Sequence, residues 1–341
     1  MKIHIDTLNR TPIYRQLVDK IKFSVKTGSI KPGEMLPSMN ELAAKEGISR
    51  ETVKKAYVIL SKDGVIVPKQ GKGFYVAEPN PDGRKKVLVI FDKFSVYKQV
   101  IFSAFEETLG TRADITVLTH NQSLDLLKYY LDSHLDDFDW YVVSPHFALD
   151  EQSQKQAIKL LSRIPNRKLI MLDRWISEYP GNYGAVYQDF ENDVYDGLLS
   201  GVNRPGSSKD LSVITLPKSL YGQCIHKGLE RFAKDFGVHL KFMTAPPETI
   251  SKGDTFLVLN SQLDWGLASL ARRIGEQGLE IGKDVFIISY NDFALNDVVL
   301  GGLTTISTDF AEMGRLAAQM IITGKLEKVH CPFRMNRRHT F

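Results

Sequence analysis

Ser38-Met39-Asn40-Glu41 opens one helix and Ser49-Arg50-Glu51-Thr52-Val53-Lys54-Lys55 opens the next, and the short interval between them decides the fold of the amino-terminal region. The first stretch fits the S-x-x-E pattern, in which the serine hydroxyl caps the helix and the glutamate returns to the serine backbone N–H. In the second, Ser49 stands directly before a helix that begins with Arg50 and continues through Lys54 and Lys55. Gly47 supplies the left-handed stop between them, so the turn is tight. Beyond the second helix Gly64 is a stop, Val65-Ile66-Val67 and Phe74-Tyr75-Val76 read as two short strands, and residues 68–73, with Gly71 and Gly73, join them as a loop. Together these spacings predict a helix–turn–helix carrying a hairpin wing, whose basic second helix has the form that enters a DNA major groove.

Outward from this centre, a first helix is expected to start at Pro12 and end before Gly28, burying Ile13, Leu17, Ile21 and Val25. The Pro/Gly/Asp-rich run 77–83 is the best boundary in the chain. We therefore expect a winged helix–turn–helix over 1–77, a linker over 78–85 and a second region over 86–341. In that region short apolar runs at 87–91, 141–143, 169–172, 212–214, 256–259 and 285–288 alternate with amphipathic helices near 98–109, 123–135, 153–163, 191–201, 222–236, 265–277 and 310–323. Such runs suit strands buried on both faces of a parallel sheet. The fold class is α/β, with enough chain for two lobes, and ligands of such sheets bind at the carboxyl ends of strands.

Composition narrows the functions. Apolar residues make up 43% of the chain and charged residues 25%, as in a globular protein. The net charge of +4 is uneven: residues 1–80 carry +6 and the remainder −2, which places any polyanion-binding surface in the first eighty residues. No apolar run is long enough for a transmembrane helix, and the first residues lack a leader pattern, so a cytoplasmic protein with no membrane partner is expected. Cys224 and Cys331 are too few and too distant to suggest a disulfide framework or zinc site. There is no G-x-x-x-x-G-K-[ST], H-E-x-x-H or G-x-S-x-G motif, so we expect neither catalysis nor a cofactor nor a metal.

Leu36-Pro37-Ser38, Leu42-Ala43, Gly47 through Lys54, Leu60, Asp63 through Ile66 and Gly71 through Val76 resemble the GntR-family winged helix over residues 10–76. The resemblance implies double-stranded DNA as a partner. It places Ser49, Arg50, Thr52 and Lys54 at recognition-helix contact positions and Gln70 and Gly71 at a wing tip that reaches the minor groove. Ser38 and Lys55 join this set, as does Asn40, which stands where the family commonly has arginine and cannot reproduce a guanidinium's bidentate fork to guanine. Residue by residue, Ser49 also reads as a plain helix cap and Lys55 as a solvated surface charge.

Ile287 through Asp292, Leu303 through Phe310 and Met313-Gly314 resemble the effector domain shared by LacI-type repressors and periplasmic sugar-binding proteins, as do Leu172-Asp173-Arg174, Val186 through Phe190 and Val258 through Gln262. The resemblance covers about 86–334. It implies a two-lobed domain whose cleft takes a small sugar, with Asn260 and Asn291 contacting it. Tyr97, His146, Arg174, Trp175, Asp189, Trp265 and Asp292 supply further planar donors, acceptors and ring faces for a polyol. The family's ligand-binding arginine aligns with Ile225, leaving Gln223 or His226 as replacements, and a helix is missing near 243–255, where Pro246-Pro247 intervenes. Asp173-Arg174 reads alternatively as a lobe-stabilising ion pair, and Asp189 as a helix cap. The expectation is a regulator, a homodimer on a palindromic operator, answering to a neutral monosaccharide. The competing readings are a pocket that serves only dimerisation or protein binding, and a solute-binding protein.

Overall fold

The structure, a computed structural model, describes residues 5, 11–69, 71–77, 83–201, 209–215, 219–259 and 265–341. The chain divides into two compact units, one built on residues through Lys85 and one on the bulk of the chain from Lys86 onward. Most of the expected linker, at 78–82, lies outside the described residues.

In the first unit α1 (Ile13–Lys26), α2 (Met39–Glu46) and α3 (Arg50–Lys62) precede an antiparallel hairpin of β1 (Ile66–Lys69) and β2 (Gly73–Val76). Helix α1 starts at Ile13, one residue after the expected Pro12, which occupies the N-cap position, and its buried stripe is Gln16, Leu17, Val18 and Ile21, with Ile13 and Val25 only partly covered. Both halves of the capping box form: the Glu41 N–H donates to Ser38 Oγ at 3.2 Å and the Ser38 N–H to Glu41 Oε2 at 2.8 Å. Gly47 ends α2 at φ +63°, where a side chain would be strained. Pro68 and Lys69, expected in the loop, pair with Phe74 and Gly73 instead. The carbonyl of Phe74, opposite Pro68, turns away from β1 to accept from the Leu36 N–H at 2.7 Å, so the missing proline N–H costs no ladder bond. Leu17, Ile21, Leu42, Val53, Ala56, Tyr57, Leu60 and Ile66 form the core.

The second unit holds two six-stranded sheets. The first-lobe elements in chain order are β3 (Lys85–Phe91), α4 (Val96–Leu109), β4 (Ala113–Thr119), α5 (Leu124–His134), β5 (Trp140–Val143), α6 (Glu151–Leu161), β6 (Leu169–Asp173) and β7 (Gly184–Tyr187). The chain then crosses to a second lobe of α7 (Phe190–Leu199), β8 (Asp210–Ile214), α8 (Gly222–Phe236), β9 (His239–Met243), β10 (Thr255–Val258), α9 (Trp265–Glu276), β11 (Phe286–Tyr290) and β12 (Thr304–Thr308). It returns to the first lobe as α10 (Phe310–Thr323) and β13 (Lys328–His330), and crosses once more to end with β14 (Phe333–Asn336). The sheet orders are β13-β7-β6-β5-β3-β4 and β14-β12-β11-β10-β8-β9. Within the second, β14 runs antiparallel to β12, while β9, β8, β10, β11 and β12 are parallel. Residues 244–254 carry no helix.

Val87, Val89, Phe91, Val142, Ile170 and Leu172 of the first sheet are buried with Ile101 and Phe105 of α4 and Met313 and Ala317 of α10. Gly314 lets α10 lie against α4: a Cβ there would stand 2.2 Å from the Ile101 carbonyl oxygen. The second sheet is covered on one face by a cluster including Val194, Leu229 and Phe232, and on the other by one including Leu267, Leu270 and Ile274.

Candidate nucleic-acid interface and ligand cleft

Helix α3 buries Val53, Ala56, Tyr57 and Leu60 and leaves Arg50 and Lys54 exposed on the opposite side. Ser49 caps it, accepting the Thr52 N–H at 3.1 Å, and its hydroxyl shares a 2.8 Å hydrogen bond with Thr52 Oγ1. Lys54 lies 3.7 Å from Glu51. Lys55 rests over the Tyr14 ring, 4.1 Å from its centroid, so it packs back onto α1. Ser38 is engaged in its capping box, Asn40 is exposed in the first turn of α2, and Gly71 is exposed at φ +72°. Gln70 lies outside the described residues. Arg50 and Lys54 thus stand at the first turns of a helix whose positive dipole end faces outward, an arrangement suited to phosphate and base edges.

In the second unit a cleft of about 460 Å³ opens where the carboxyl ends of the parallel strands of the two lobes face each other. Asp92 follows β3, Asp173 ends β6, His146 lies just after β5, and Tyr290 and Asn291 stand at the end of β11. Asp173 and Asn291 both take left-handed backbone, each at φ +70°, which Asp and Asn tolerate better than most residues. Lys98, on α4, is 4% exposed and is ion-paired to Asp92 at 3.1 Å and to Asp173. Asp173 also receives Gln188 Nε2 and lies 2.9 Å from His146 Nε2. The other ring nitrogen of His146 is 2.6 Å from the Tyr221 hydroxyl. Gln188 in turn accepts from Thr308 Oγ1 at 2.8 Å, which ties two of the crossings between lobes together.

Burial pushes the Asp173 carboxyl upward, but Lys98 and His146 outweigh it and hold the group well below the usual carboxylate range. Burial likewise opposes the charge of Lys98, yet Asp173 and Asp92 keep it above the usual lysine range. Tyr97 stacks on Phe310 at 5.1 Å, and Tyr221 lies flat on Phe190 at 3.9 Å. The Tyr290 hydroxyl and Asn291 Oδ1 are buried in the cleft wall with no hydrogen-bond partner among the described residues. Orphaned buried polar atoms are costly unless a ligand or water meets them.

Of the expected ligand residues, Tyr97, His146 and Asn291 line this cleft. Asn260 and the side chain of Trp265 lie outside the described residues. The others are placed elsewhere. Arg174 donates to the Pro145 carbonyl and to Gln154, both at 2.8 Å, and does not pair with Asp173, whose cation is Lys98. Trp175 donates its indole N–H to the Tyr183 hydroxyl at 2.7 Å. Asp189 caps α7. Asp292 is held by Arg338, Asn296 and Asn336. Gln223 points to solvent, and His226 packs on Phe242 at 4.3 Å, so neither replaces the missing arginine, whose aligned residue Ile225 lines the cleft as an apolar group. Sequence reasoning passed over Asp92, Lys98, Gln188, Tyr221 and Tyr290. Asp92 and Tyr290 sit at strand ends and were findable by that rule; nothing in the sequence marks Lys98 as buried.

A winged helix–turn–helix followed by a two-lobed receptor of the periplasmic-binding-protein type defines the class of this molecule. Residues 13–76 match the family described as bacterial regulatory proteins, gntR family, and residues 243–332 match the periplasmic binding protein-like domain. The chain is 41% identical over 97 residues to the HTH-type transcriptional repressor YtrA of Bacillus subtilis, an alignment covering 28% of this chain and 71% of that one. It is 23% identical over 340 residues to the arabinose metabolism transcriptional repressor of Geobacillus stearothermophilus, covering 91% and 90% of the two chains. Among solved structures, the trehalose repressor of Escherichia coli superposes with a TM-score of 0.58 at 16% identity, covering 74% of this chain and 99% of that one. A LacI-family regulator of Enterococcus faecium with bound ribose gives 0.54 at 18%, covering 75% and 98%. The chain belongs to the gntR family of bacterial regulatory proteins.

Proposed function

We propose that this protein is a cytoplasmic, non-catalytic transcriptional regulator of carbohydrate-utilisation genes, which binds a palindromic operator as a homodimer and takes a neutral monosaccharide in the cleft of its second unit. The observation that carries the sugar reading is a pair of buried oxygens without a hydrogen-bond partner among the described residues, Tyr290 Oη and Asn291 Oδ1, in a cleft whose described charges balance, Asp92 and Asp173 against Lys93 and Lys98. Asn291 Oδ1 is an acceptor, so it asks for a hydroxyl donor, and the balanced charges of the cleft leave no excess cation for a phosphate. The named function of the arabinose metabolism repressor, a relative along almost the full chain, supports a carbohydrate effector.

The head supports DNA as the second partner through the exposed Arg50 and Lys54 on α3. A dimer would set two such helices about one DNA turn apart. Occupation of the cleft shifts the operator equilibrium only to the extent that sugar prefers one arrangement, about 1.4 kcal/mol for a tenfold change. The test is a thermal-shift screen of neutral monosaccharides beside their phosphates, followed by operator titration with each hit at fixed salt. A neutral sugar should raise the melting temperature and change operator affinity. Stabilisation by phosphorylated sugars alone overturns the ligand class. No stabilisation by any sugar would favour a cleft used only for dimerisation or protein binding.

A further inference from the structure

The hydrogen bond between His146 and Tyr221 joins the two lobes across the cleft. His146 follows β5 and belongs to the first lobe, where the neighbouring Phe147 is fully buried and stacks on His120 at 4.5 Å. Tyr221 caps α8, whose Ile225, Leu229 and Phe232 are core residues of the second lobe. The bond is 2.6 Å long. Each end is braced on its own side. His146 is 5% exposed and fixed through Nε2 to Asp173, which Lys98 and Gln188 hold in turn. The Tyr221 ring is pressed on Phe190 with only 7° between planes, and Arg174 of the first lobe adds a further contact between lobes, its guanidinium 5.9 Å from the Tyr221 centroid.

We propose that His146 and Tyr221 form an inter-lobe tether that holds the cleft closed before any effector arrives, with Tyr221 acting as a positioning residue for lobe separation. The donors and acceptors fit this role. Asp173 is ionised and can only accept, so His146 Nε2–H donates to it, which leaves Nδ1 to share a hydrogen bond with the Tyr221 hydroxyl. Burial keeps that phenol protonated, since it lifts the group above the ordinary tyrosine range. A ligand bridging two lobes ordinarily supplies the contacts that close them; here the protein supplies one itself. The closed fraction of the free protein is then raised, and the effector binds with that much less loss of apparent affinity.

The tether is tested on the full chain without any sugar, so its failure is separate from failure of the effector reading. Spin labels at Gln152→Cys in the first lobe and Lys227→Cys in the second, both exposed positions, report lobe separation in a Cys224→Ser background, while Cys331 is fully buried. Tyr221→Phe keeps the ring on Phe190 and removes only the hydroxyl. It should move the inter-lobe distance distribution to longer values. His146→Phe should move it in the same direction, and the double variant should move it no further than the larger single shift, because both remove one bond. An unchanged distribution in Tyr221→Phe overturns the tether, as do two shifts that simply add. If His146→Phe fails to fold, Tyr221→Phe decides alone.

Discussion

Asp292 receives both terminal nitrogens of Arg338, Nη1 on Oδ1 at 3.1 Å and Nη2 on Oδ2 at 2.9 Å. The same carboxylate accepts from Asn296 Nδ2 and Asn336 Nδ2, while Arg338 also reaches Asp297 at 2.7 Å. A side chain one residue from the cleft is thereby committed to anchoring the end of the chain. Asp292→Ala should cost about 1.5–3 kcal/mol of stability, the range for lost hydrogen bonds to a charged partner, and leave sugar affinity of the folded protein near wild type. Denaturant unfolding and calorimetric titration check this; a tenfold loss of affinity with unchanged stability would restore Asp292 as a ligand residue.

Arg50 and the cleft lie in separate units and should respond separately. Arg50→Ala should weaken specific operator binding by about 1–3 kcal/mol if the side chain reads a guanine, with sugar affinity unchanged. If it meets only phosphate, the slope of log affinity against log salt should fall by about 1 in magnitude. Equal loss of DNA and sugar binding would contradict this division.

Lys98 neutralises two buried carboxylates at once, so its removal should be felt as stability before it is felt as affinity. Lys98→Met leaves Asp92 and Asp173 without their cation, and breaking a buried pair in this way costs about 3–5 kcal/mol. Adding Asp173→Asn should recover part of the loss. A Lys98→Met protein as stable as wild type would show that the cluster is solvated.

Asp193, on α7, is 1% exposed, and its carboxylate meets His330 Nε2 at 2.6 Å. Burial lifts its pKa from 3.8 to about 7, against the opposing pull of His330. The folded state therefore keeps a proton that the unfolded state releases between those values, and linkage makes stability fall as pH rises through that window, by at most about 1.4 kcal/mol per pH unit from this group. Asp193→Asn should flatten the dependence. Urea unfolding at pH 5 and pH 7 measures it; an identical slope in the variant would assign the dependence to other groups.

Much of the architecture was legible because central strands are buried on both faces and read as apolar runs, as in Val87 through Phe91 and Leu169 through Leu172. The interior strands β7, which opens on Gly184, and β12, whose Thr304-Thr305-Ile306-Ser307-Thr308 is buried but rich in hydroxyls, gave no such run, and neither did the edge strands. In β9 three of five residues are exposed, and in β4 no residue is fully buried, so neither shows a continuous apolar signal. The caps at Ser38, Gly47 and Ser49 were readable since capping is local chemistry. The cleft was read less well because strand-end position says where a side chain starts, not which partner takes it. Trp175, Asp189 and Asp292 all sit near strand ends, and each is satisfied by a neighbour that sequence spacing does not reveal. Lys98 lies on a helix, outside the strand-end rule, and its burial depends on two carboxylates at the ends of different strands.

The return of α10 and β13 to the first lobe has a consequence for synthesis. Phe310, Met313, Ala317 and Cys331 complete the packing against β3, β6 and α4, so that half of the receptor stays unfinished until residue 331 has been translated. The winged head needs nothing beyond Val76 for its core and can fold while the ribosome is still at work. A nascent chain cut short before residue 310 would thus carry a finished winged head with an incomplete ligand-binding unit behind it.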